Sequence, residues 1–551
     1  MAPPRPTPLA ALAIALAALC AANVLPRAGR FSGDAMIHLG LAERAAAGAW
    51  WEFNPGELAS ATTSPAWTAL AALLLRLGGF PLALPVLSLV SLAALALAAL
   101  LVRRLALRLG AAGPAAPVGA LLFAALPGVA SNAPLAMENT AFAAAALAFL
   151  LLVSGPGRVE RAAPAAACGA LLGACVLLRP EGVVLAIGAV VALRDSPPTG
   201  RVLRGAALAL AAVAVVAPVA YLHWRVTGRW LPGSGLSRVM AARRDPSSLH
   251  LGGPLWLYLA APARLLVHLP LVGLALEGAR PPSLHPTTRR ALVATLGAGF
   301  ALYTLVTGAA HVARLTQWLW AMLAALAAVG LGRQLARVAG GDRTRGRWLA
   351  GVLVAHVTIG AAETVARWRS PSQGSGGLDR ATLLHAIDGR RARTDRLLRA
   401  LCAGGCCREG EVPAVAVVEV QRRLILDGRV SVASLDGVAA PVGPDAPAVT
   451  FDPATGCPRI DALLEHRRVI GLLEDPSAQL GRCVSPSLAR SLSEARSRTD
   501  RPPTGWRWDA ALHTWIRGCR PVDQPSSSAA PSIASASRTV ASRTAARPTS
   551  P

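Results

Sequence analysis

Asp34 and His38 stand four residues apart in FSGDAMIHLG, just after the first apolar run of the chain. On a helix, residues so spaced share a face, and a carboxylate beside an imidazole can take a proton from a hydroxyl nucleophile. The alternative for Asp34 is structural, because Ser32-Gly33-Asp34 also reads as the cap of a helix ending near Ala47. His38 then tunes the acid, binds an anion or faces water. Glu138, in PLAMENT, opens another apolar run. A carboxylate there is costly in lipid, so it faces a cavity or a partner, or it sits in a first helical turn where the dipole favours it. Arg179-Pro180-Glu181-Gly182 interrupts a long apolar stretch. Its Arg and Glu pair with each other or with a ligand, and Pro180 breaks the helix; a plain hairpin tip is the other reading.

A second group is basic. The loop 223–253 carries Arg225, Arg229, Arg238, Arg243 and Arg244, and HVARLTQW brings His311 and Arg314. Guanidinium groups grip phosphate oxygens bidentately, which makes these candidate phosphate ligands. Attraction to anionic lipid headgroups is the competing cause. Trp318 and Trp320 read as aromatics of a membrane interface.

The elements that must position these residues are apolar. Of 551 residues 53% are hydrophobic and only 15% charged, with a mean hydropathy of +0.46, the balance of a polytopic membrane protein rather than a soluble domain. About eleven apolar runs are long enough, or nearly so, to cross a bilayer as helix: 7–25, 80–102, 114–130, 134–154, 163–178, 181–193, 203–222, 254–275, 290–308, 316–332 and 348–366. The run 65–78 is too short and reads as an amphipathic helix at the interface. The net charge of +25 comes without a single Lys. Its arginines flank apolar runs, where they orient helices, so nucleic acid is not expected as a partner.

If 65–78 does not span, Arg103, Arg104, Arg108, Arg158, Arg161, Arg194, Arg201 and Arg204 fall on one side with the arginines of 280–290 and 333–347. The positive-inside rule makes that side cytoplasmic, with the N-terminus, and puts the chain in the cytoplasmic membrane. The opposite face then collects the loop 26–64, Glu138, Arg179, Glu181, the loop 223–253, His311 and Arg314. Three regions follow: a membrane module over 1–366, an extracytoplasmic α/β domain over 367–520 with strand-like runs at 412–420 and 430–434, and a disordered Ser/Ala/Pro/Arg tail over 521–551. Cys402, Cys406, Cys407, Cys457, Cys483 and Cys519 lie in the middle region and suggest disulfides, while Cys20, Cys168 and Cys175 read as packing residues in helices.

In order, GDAMIHLG, FNPGE, TTSPAWTAL, AMENT, LLRPEGVV, LPGSGLSR and HVARLTQW resemble the motifs of GT-C fold glycosyltransferases, the mycobacterial terminal arabinofuranosyltransferases among them. VAVVEVQRRLILDGRVSVASLDGV is similar to a strand and turn of that family's outer domain. The resemblance covers roughly 25–470. It departs at Gly33, where the family has the first acid of a pair, and at Gly233 and Arg238, where it has Asn and Lys. Arg238 keeps the charge.

That resemblance implies a mainly α, GT-C-like membrane enzyme. It would move a sugar, arabinofuranose or a hexose such as mannose, from a polyprenyl-phosphate donor to an envelope glycan at the outer membrane face. Asp34 is the expected general base. His38, Glu138, Arg179, Glu181, Arg225, Arg229, Arg238, His311 and Arg314 are the expected substrate- and phosphate-binding set. The resemblance names no certain cofactor, and a divalent metal stays open. A transporter of an anionic lipid-linked substrate, or a non-catalytic envelope scaffold, are the alternatives. The first would spread polar residues through the membrane depth and repeat one half of the chain in the other; neither is seen in the sequence.

Overall fold

The computed structural model describes residues 8–59, 62–155, 161–195, 198–228, 265, 267–281, 285–306, 315–369, 378–403, 407, 412–417, 426–427, 429–434, 460, 469–472, 486–497, 506–509 and 514–517. The chain enters as the apolar helix α1 (Pro8–Val24). After a two-residue strand, β1 (Arg30–Phe31), comes α2 (Gly33–Ala46). Ser32 starts α2, its hydroxyl accepting the Ala35 N–H at 3.1 Å, which satisfies one of the otherwise unpaired first-turn donors. A small hairpin follows, β2 (Glu52–Asn54) and β3 (Glu57–Leu58).

The helix α3 (Pro65–Leu109) holds the short run and the long run in one element. It is broken at Gly78 and Gly79, where Gly79 takes φ +64°, a region only glycine enters cheaply. The first piece buries Trp67, Thr68, Ala71 and Leu75 while exposing Leu73 and Leu77. Then come α4 (Ala115–Ala124), α5 (Pro127–Ala130), α6 (Asn139–Val153) and α7 (Ala162–Leu178). A 3-10 turn over Pro180–Val184 separates α7 from α8 (Leu185–Arg194). The long α9 (Arg201–Thr227), α10 (Leu269–Ala279), α11 (Pro286–Val306), α12 (Gln317–Ala339) and α13 (Arg343–Arg369) complete the bundle.

Among the described residues five helical segments are long and apolar enough to cross a membrane: Leu9–Arg27, Pro65–Leu109, Arg201–Val226, Gln317–Ala339 and Arg343–Arg369. The sequence reading of eleven spans is therefore not what these helices provide. Several of the other runs form shorter apolar helices, cut by turns at 125–138 and by Pro180. Much of the run 254–275 lies outside the described residues. The surface of the bundle is apolar: Leu100, Val190, Val202, Leu210 and Val354 are all exposed, as expected of helices facing lipid.

The helix α12 is the axis of the bundle, buried on nearly every side from Gln317 to Gly332. Trp318 and Trp320 are thus inside, not in an interface belt. The Trp318 indole donates to the Tyr303 hydroxyl at 3.1 Å and the Trp320 indole to the Thr316 hydroxyl at 3.0 Å. The crossing of α10 and α12 is set by two glycines. A Cβ at Gly278 would stand 1.9 Å from the Leu326 carbonyl oxygen, and one at Gly330 would stand 2.0 Å from that of Leu274. Backbones can approach this closely only across small residues.

Beyond α13 the chain returns to its own beginning. The strand β4 (Leu378–Asp379) pairs antiparallel with β1, matching Phe31 to Leu378. Asp379 caps α14 (Arg380–Asp388), accepting the Thr382 amide at 2.9 Å and the Thr382 hydroxyl at 2.6 Å; these hydrogen bonds hold its carboxyl below the usual range. Leu383 and Ile387 of α14 pack with Phe31, Met36, Leu39 and Trp67. After α15 (Arg390–Cys402) the strands β5 (Ala414–Val417), β6 (Ser431–Ser434), β7 (Val469–Leu472), β8 (Trp506–Asp509) and β9 (Thr514–Arg517) form one mixed sheet in the order β6-β5-β7-β9-β8. The helix α16 (Pro486–Ser497) joins β7 to β8. The pairs β5–β6 and β5–β7 are parallel, and the pairs with β9 antiparallel. Cys402 and Cys407 form a disulfide, with Cα atoms 5.0 Å apart; Cys20, Cys168 and Cys175 are free thiols in helices. The other four cysteines lie outside the described residues.

Gly330→Ala or Gly278→Ala should push α10 and α12 apart, an overpacking cost of about 1–3 kcal/mol. Each should lower the unfolding midpoint of the detergent-solubilised protein by several degrees. Gly297→Ala in α11, where an added Cβ meets nothing within 4 Å, should leave the midpoint unchanged or slightly raised. Equal shifts for all three would refute the close crossing.

Candidate active site

One buried arginine gathers three elements. Arg179, where α7 ends, donates from Nη1 to Glu138 Oε1 at 2.6 Å and to Asn139 Oδ1 at 2.6 Å. Its Nη2 donates to Glu181 Oε1 at 2.8 Å. Pro180 makes this possible: it ends α7 and turns the chain so that Glu181 comes back beside Arg179. Glu138 precedes α6 and is 2% exposed. Its backbone is held from α3, where the Ser91 hydroxyl donates to the Met137 carbonyl at 2.7 Å and the Trp67 indole to that of Ala136 at 3.1 Å. Ala136 has φ +56°, a strained conformation that persists only where its surroundings enforce it. On the far side, the Tyr303 hydroxyl stands 3.5 Å from Glu181 Oε1 and donates to the Leu315 carbonyl at 2.9 Å.

From Glu138 the polar chain continues to α2. Glu138 Oε2 lies 3.7 Å from His38 Nε2. His38 Nδ1 is 3.0 Å from the Thr68 hydroxyl, which is 2.9 Å from that of Thr62. The Thr62 hydroxyl accepts the Ser64 N–H at 3.0 Å. Asp34 sits one turn before His38 on the same helix, half-buried, and the cap role is taken by Ser32. Glu138 Oε2, Asn139 Nδ2 and Arg179 Nε have no hydrogen-bond partner among the described residues. Buried polar atoms without partners are rare, and three so close together mark a candidate point for a bound polar group.

Thr62 and Thr68 face a cavity of about 610 Å³. Its walls are the end of α2 (Leu41, Ala45), the turn Gly48–Glu52, the start of α3 (Pro65, Ala66, Ala69) and one face of α9 (Val219, Leu222, Val226). The lining is mostly apolar, with Glu52 and the two threonines as its polar edge. Trp51, in the wall, has φ +67° and packs edge-on against His223 of α9, with ring centroids 5.0 Å apart. Arg44 bonds Glu52 Oε2 at 2.5 Å.

Of the residues singled out in the sequence, His38, Glu138, Arg179 and Glu181 come together here, and Asp34 lies one helical turn before His38 on α2. Arg179 commits both terminal nitrogens to carboxylates and an amide. Arg225 is exposed on the last turn of α9, next to cavity-lining Val226. Arg229, Arg238, His311 and Arg314 lie outside the described residues. Sequence reasoning missed Thr62, Thr68, Asn139 and Tyr303. Hydroxyls and amides beside apolar runs carry no distinctive spacing; only Tyr303, one of three tyrosines in the chain, stood out by scarcity.

The sequence matches no protein-family model and no curated protein. In structure the chain is similar to ArnT from Cupriavidus metallidurans bound to undecaprenyl phosphate (TM-score 0.48, 14% identity, covering 87% of this chain and 96% of that one). It is similar also to the same protein in the apo state (TM-score 0.49, 15% identity, 86% and 94%). The third is the Archaeoglobus fulgidus oligosaccharyltransferase in complex with zinc and sulfate (TM-score 0.47, 14% identity, 84% and 67%). At these scores the likeness carries no functional argument.

If the Arg179 cluster is one electrostatic unit, its substitutions will not add. Glu138→Gln and Arg179→Met should each destabilise the solubilised protein by a few kcal/mol, since each strands a buried charge, on the order of 3–5 kcal/mol in other proteins. The double variant should lose less than the sum, with a coupling above about 1 kcal/mol. Additive losses in thermal unfolding would show the pair to be independent.

Proposed function

We propose that this chain is a membrane glycosyltransferase of the GT-C kind, moving a sugar from a polyprenyl-phosphate donor to a glycan acceptor at the outer face of the membrane. One observation carries it: Asp34 stands one turn before His38, and the His38 ring belongs to a buried polar chain that borders an apolar cavity. An apolar cavity edged by a few polar groups suits an amphiphile whose chain is greasy and whose head reacts. Leu222 of α9 lines the cavity and is itself exposed, which in this reading gives a polyprenyl chain a side entrance.

In this reading the acceptor hydroxyl gives its proton to an Asp34 carboxylate oxygen. The hydroxyl oxygen forms a bond to the anomeric carbon. The bond from that carbon to the phosphate oxygen breaks, and polyprenyl phosphate leaves with the electron pair. Phosphate is a good leaving group, so the protein contributes chiefly position and charge. Arg225, with Arg229, Arg238, His311 and Arg314, supplies that charge. Arg179 acts from within, fixing Glu138 and Glu181, and Glu138 Oε2 stands 3.7 Å from the His38 ring. Among the described residues no group of three or more His, Cys, Asp or Glu side chains could hold a metal ion. The transferred sugar is arabinofuranose or a hexose such as mannose, and the C-terminal sheet domain binds the acceptor.

Membranes containing the protein should transfer radiolabelled sugar from one member of a panel of polyprenyl-phosphate sugars. Asp34→Asn should lower the rate by about 10²- to 10⁴-fold, the usual range for a lost general base, with protein level unchanged. His38→Gln should act in the same direction, more weakly. Equal transfer by Asp34→Asn and the parent would remove Asp34 from the mechanism. Movement of donor across the bilayer without transfer would favour the transporter instead.

A further inference from the structure

The N-P-G-E turn, Asn54 to Glu57, has no role in the chemistry above, yet its two polar side chains are both engaged. The Asn54 amide donates to the Val432 carbonyl at 2.9 Å, and its oxygen accepts the Val432 N–H at 3.0 Å. That is the pair of bonds a neighbouring strand would make. Val432 is on β6, the edge of the five-stranded sheet among the described residues, so one side chain satisfies the Val432 backbone on that side. Asn54 is 2% exposed. It also donates to Glu57 Oε2 at 2.9 Å, and the Ser431 hydroxyl lies 3.3 Å from the same oxygen. Phe53 and Ala59 pack with Leu397, Val415, Val432 and Ile516.

The other end of the same hairpin is the cavity wall. Trp51 and Glu52 line it, Glu52 accepts the Gly56 N–H at 2.9 Å, and the Trp51 carbonyl accepts the Ala59 N–H. Trp51 is held at positive φ. A bulky residue keeps that conformation only while its surroundings hold it there. What holds this stretch is a hairpin whose far end is fastened to β6.

We propose that Asn54 and Glu57 are positioning residues: by gripping the β6 edge they hold Trp51 and Glu52 in the cavity wall, so that the C-terminal sheet sets the shape of the cavity. The inference rests on the cavity being the donor site. Neither residue touches substrate. A purely structural role would weaken the fold and leave the cavity's affinity unchanged in the protein that remains folded.

The test measures the wall and the affinity separately. Trp51 emission is read as the difference between the parent and Trp51→Phe. Farnesyl phosphate binding and donor KM are measured on purified full-length protein. In Asn54→Ala the Trp51 signal should shift red, farnesyl phosphate should bind about tenfold more weakly and donor KM should rise by a like factor, the effect of one or two lost buried hydrogen bonds. kcat should change much less. Asn54→Asp, which sets a carboxylate against Glu57 and the Val432 carbonyl in place of a donor, should show each effect at least as strongly. If Asn54→Ala does not fold, Glu57→Gln and Ser431→Ala should show the same changes at smaller size. An unchanged Trp51 signal, or unchanged affinity despite a shifted one, overturns the proposal. Absence of transfer by the parent counts against the glycosyltransferase reading alone, because the Trp51 and farnesyl phosphate measurements still decide this one.

Discussion

A guanidinium buried among helices has to be answered by charge, and Arg179 is answered by two carboxylates, Glu138 and Glu181, with the Asn139 amide oxygen as a third acceptor. The desolvation of such groups costs several kcal/mol per ion and is recovered only with near-ideal geometry. Much of the surrounding architecture supplies that geometry. Pro180 bends Glu181 back onto Arg179. Ser91 and Trp67 fix the backbone before α6, so that Glu138 meets Arg179 with one oxygen and approaches His38 with the other. Tyr303 closes the cluster from α11 and is in turn held by Trp318 on the central helix. The cluster therefore locks α2, α6, α7 and α11 in register, and Asp34 is carried on the element so fixed.

Beside this rigid, polar knot lies a space of opposite character. The cavity is apolar on the side of α9 and, among the described residues, meets the knot through Thr62 and Thr68. Two non-glycine residues with positive φ, Trp51 and Ala136, flank the boundary. Strain of this kind concentrates at sites where a particular placement matters more than local ease. Here it places an indole in the cavity wall and the carboxylate of Glu138 at the end of the polar chain.

Much of this arrangement was legible in the sequence and some was not. Asp34 and His38 were readable because helical spacing fixes their relation before any tertiary contact forms. Glu138 and Arg179-Pro180-Glu181 were readable because charges interrupting apolar runs are costly enough to need partners. Their pairing across about forty residues of chain was not, since nothing local encodes which charge meets which. The eleven apolar runs give five helices long and apolar enough to cross a membrane among the described residues, for a related reason. Hydropathy registers apolar length, whereas the turn before Glu138 and the break at Pro180 shorten helices without lowering hydropathy. Trp318 and Trp320 were misplaced because an aromatic at the start of an apolar run has the same signature on a lipid-facing helix and on a central one. Only the packing of α12 inside the bundle distinguishes them.

The return of the chain from α13 to its own first loop gives the fold its last constraint. β4 pairs with β1, α14 packs on α2 and α3, Arg390 pairs with Glu43, and Asn54 bonds the Val432 backbone on β6. Each contact joins the segment between α1 and α3 to residues more than three hundred positions later. A loop carrying an acid and a cavity wall is therefore not left to its own conformational entropy. It is clamped on one side by buried charge and on the other by a sheet. Ordering a loop of this length costs on the order of 1–2 kcal/mol per residue, more than the short strands within it recover. The C-terminal sheet makes up part of that difference, which is a physical reason for one chain to carry both parts.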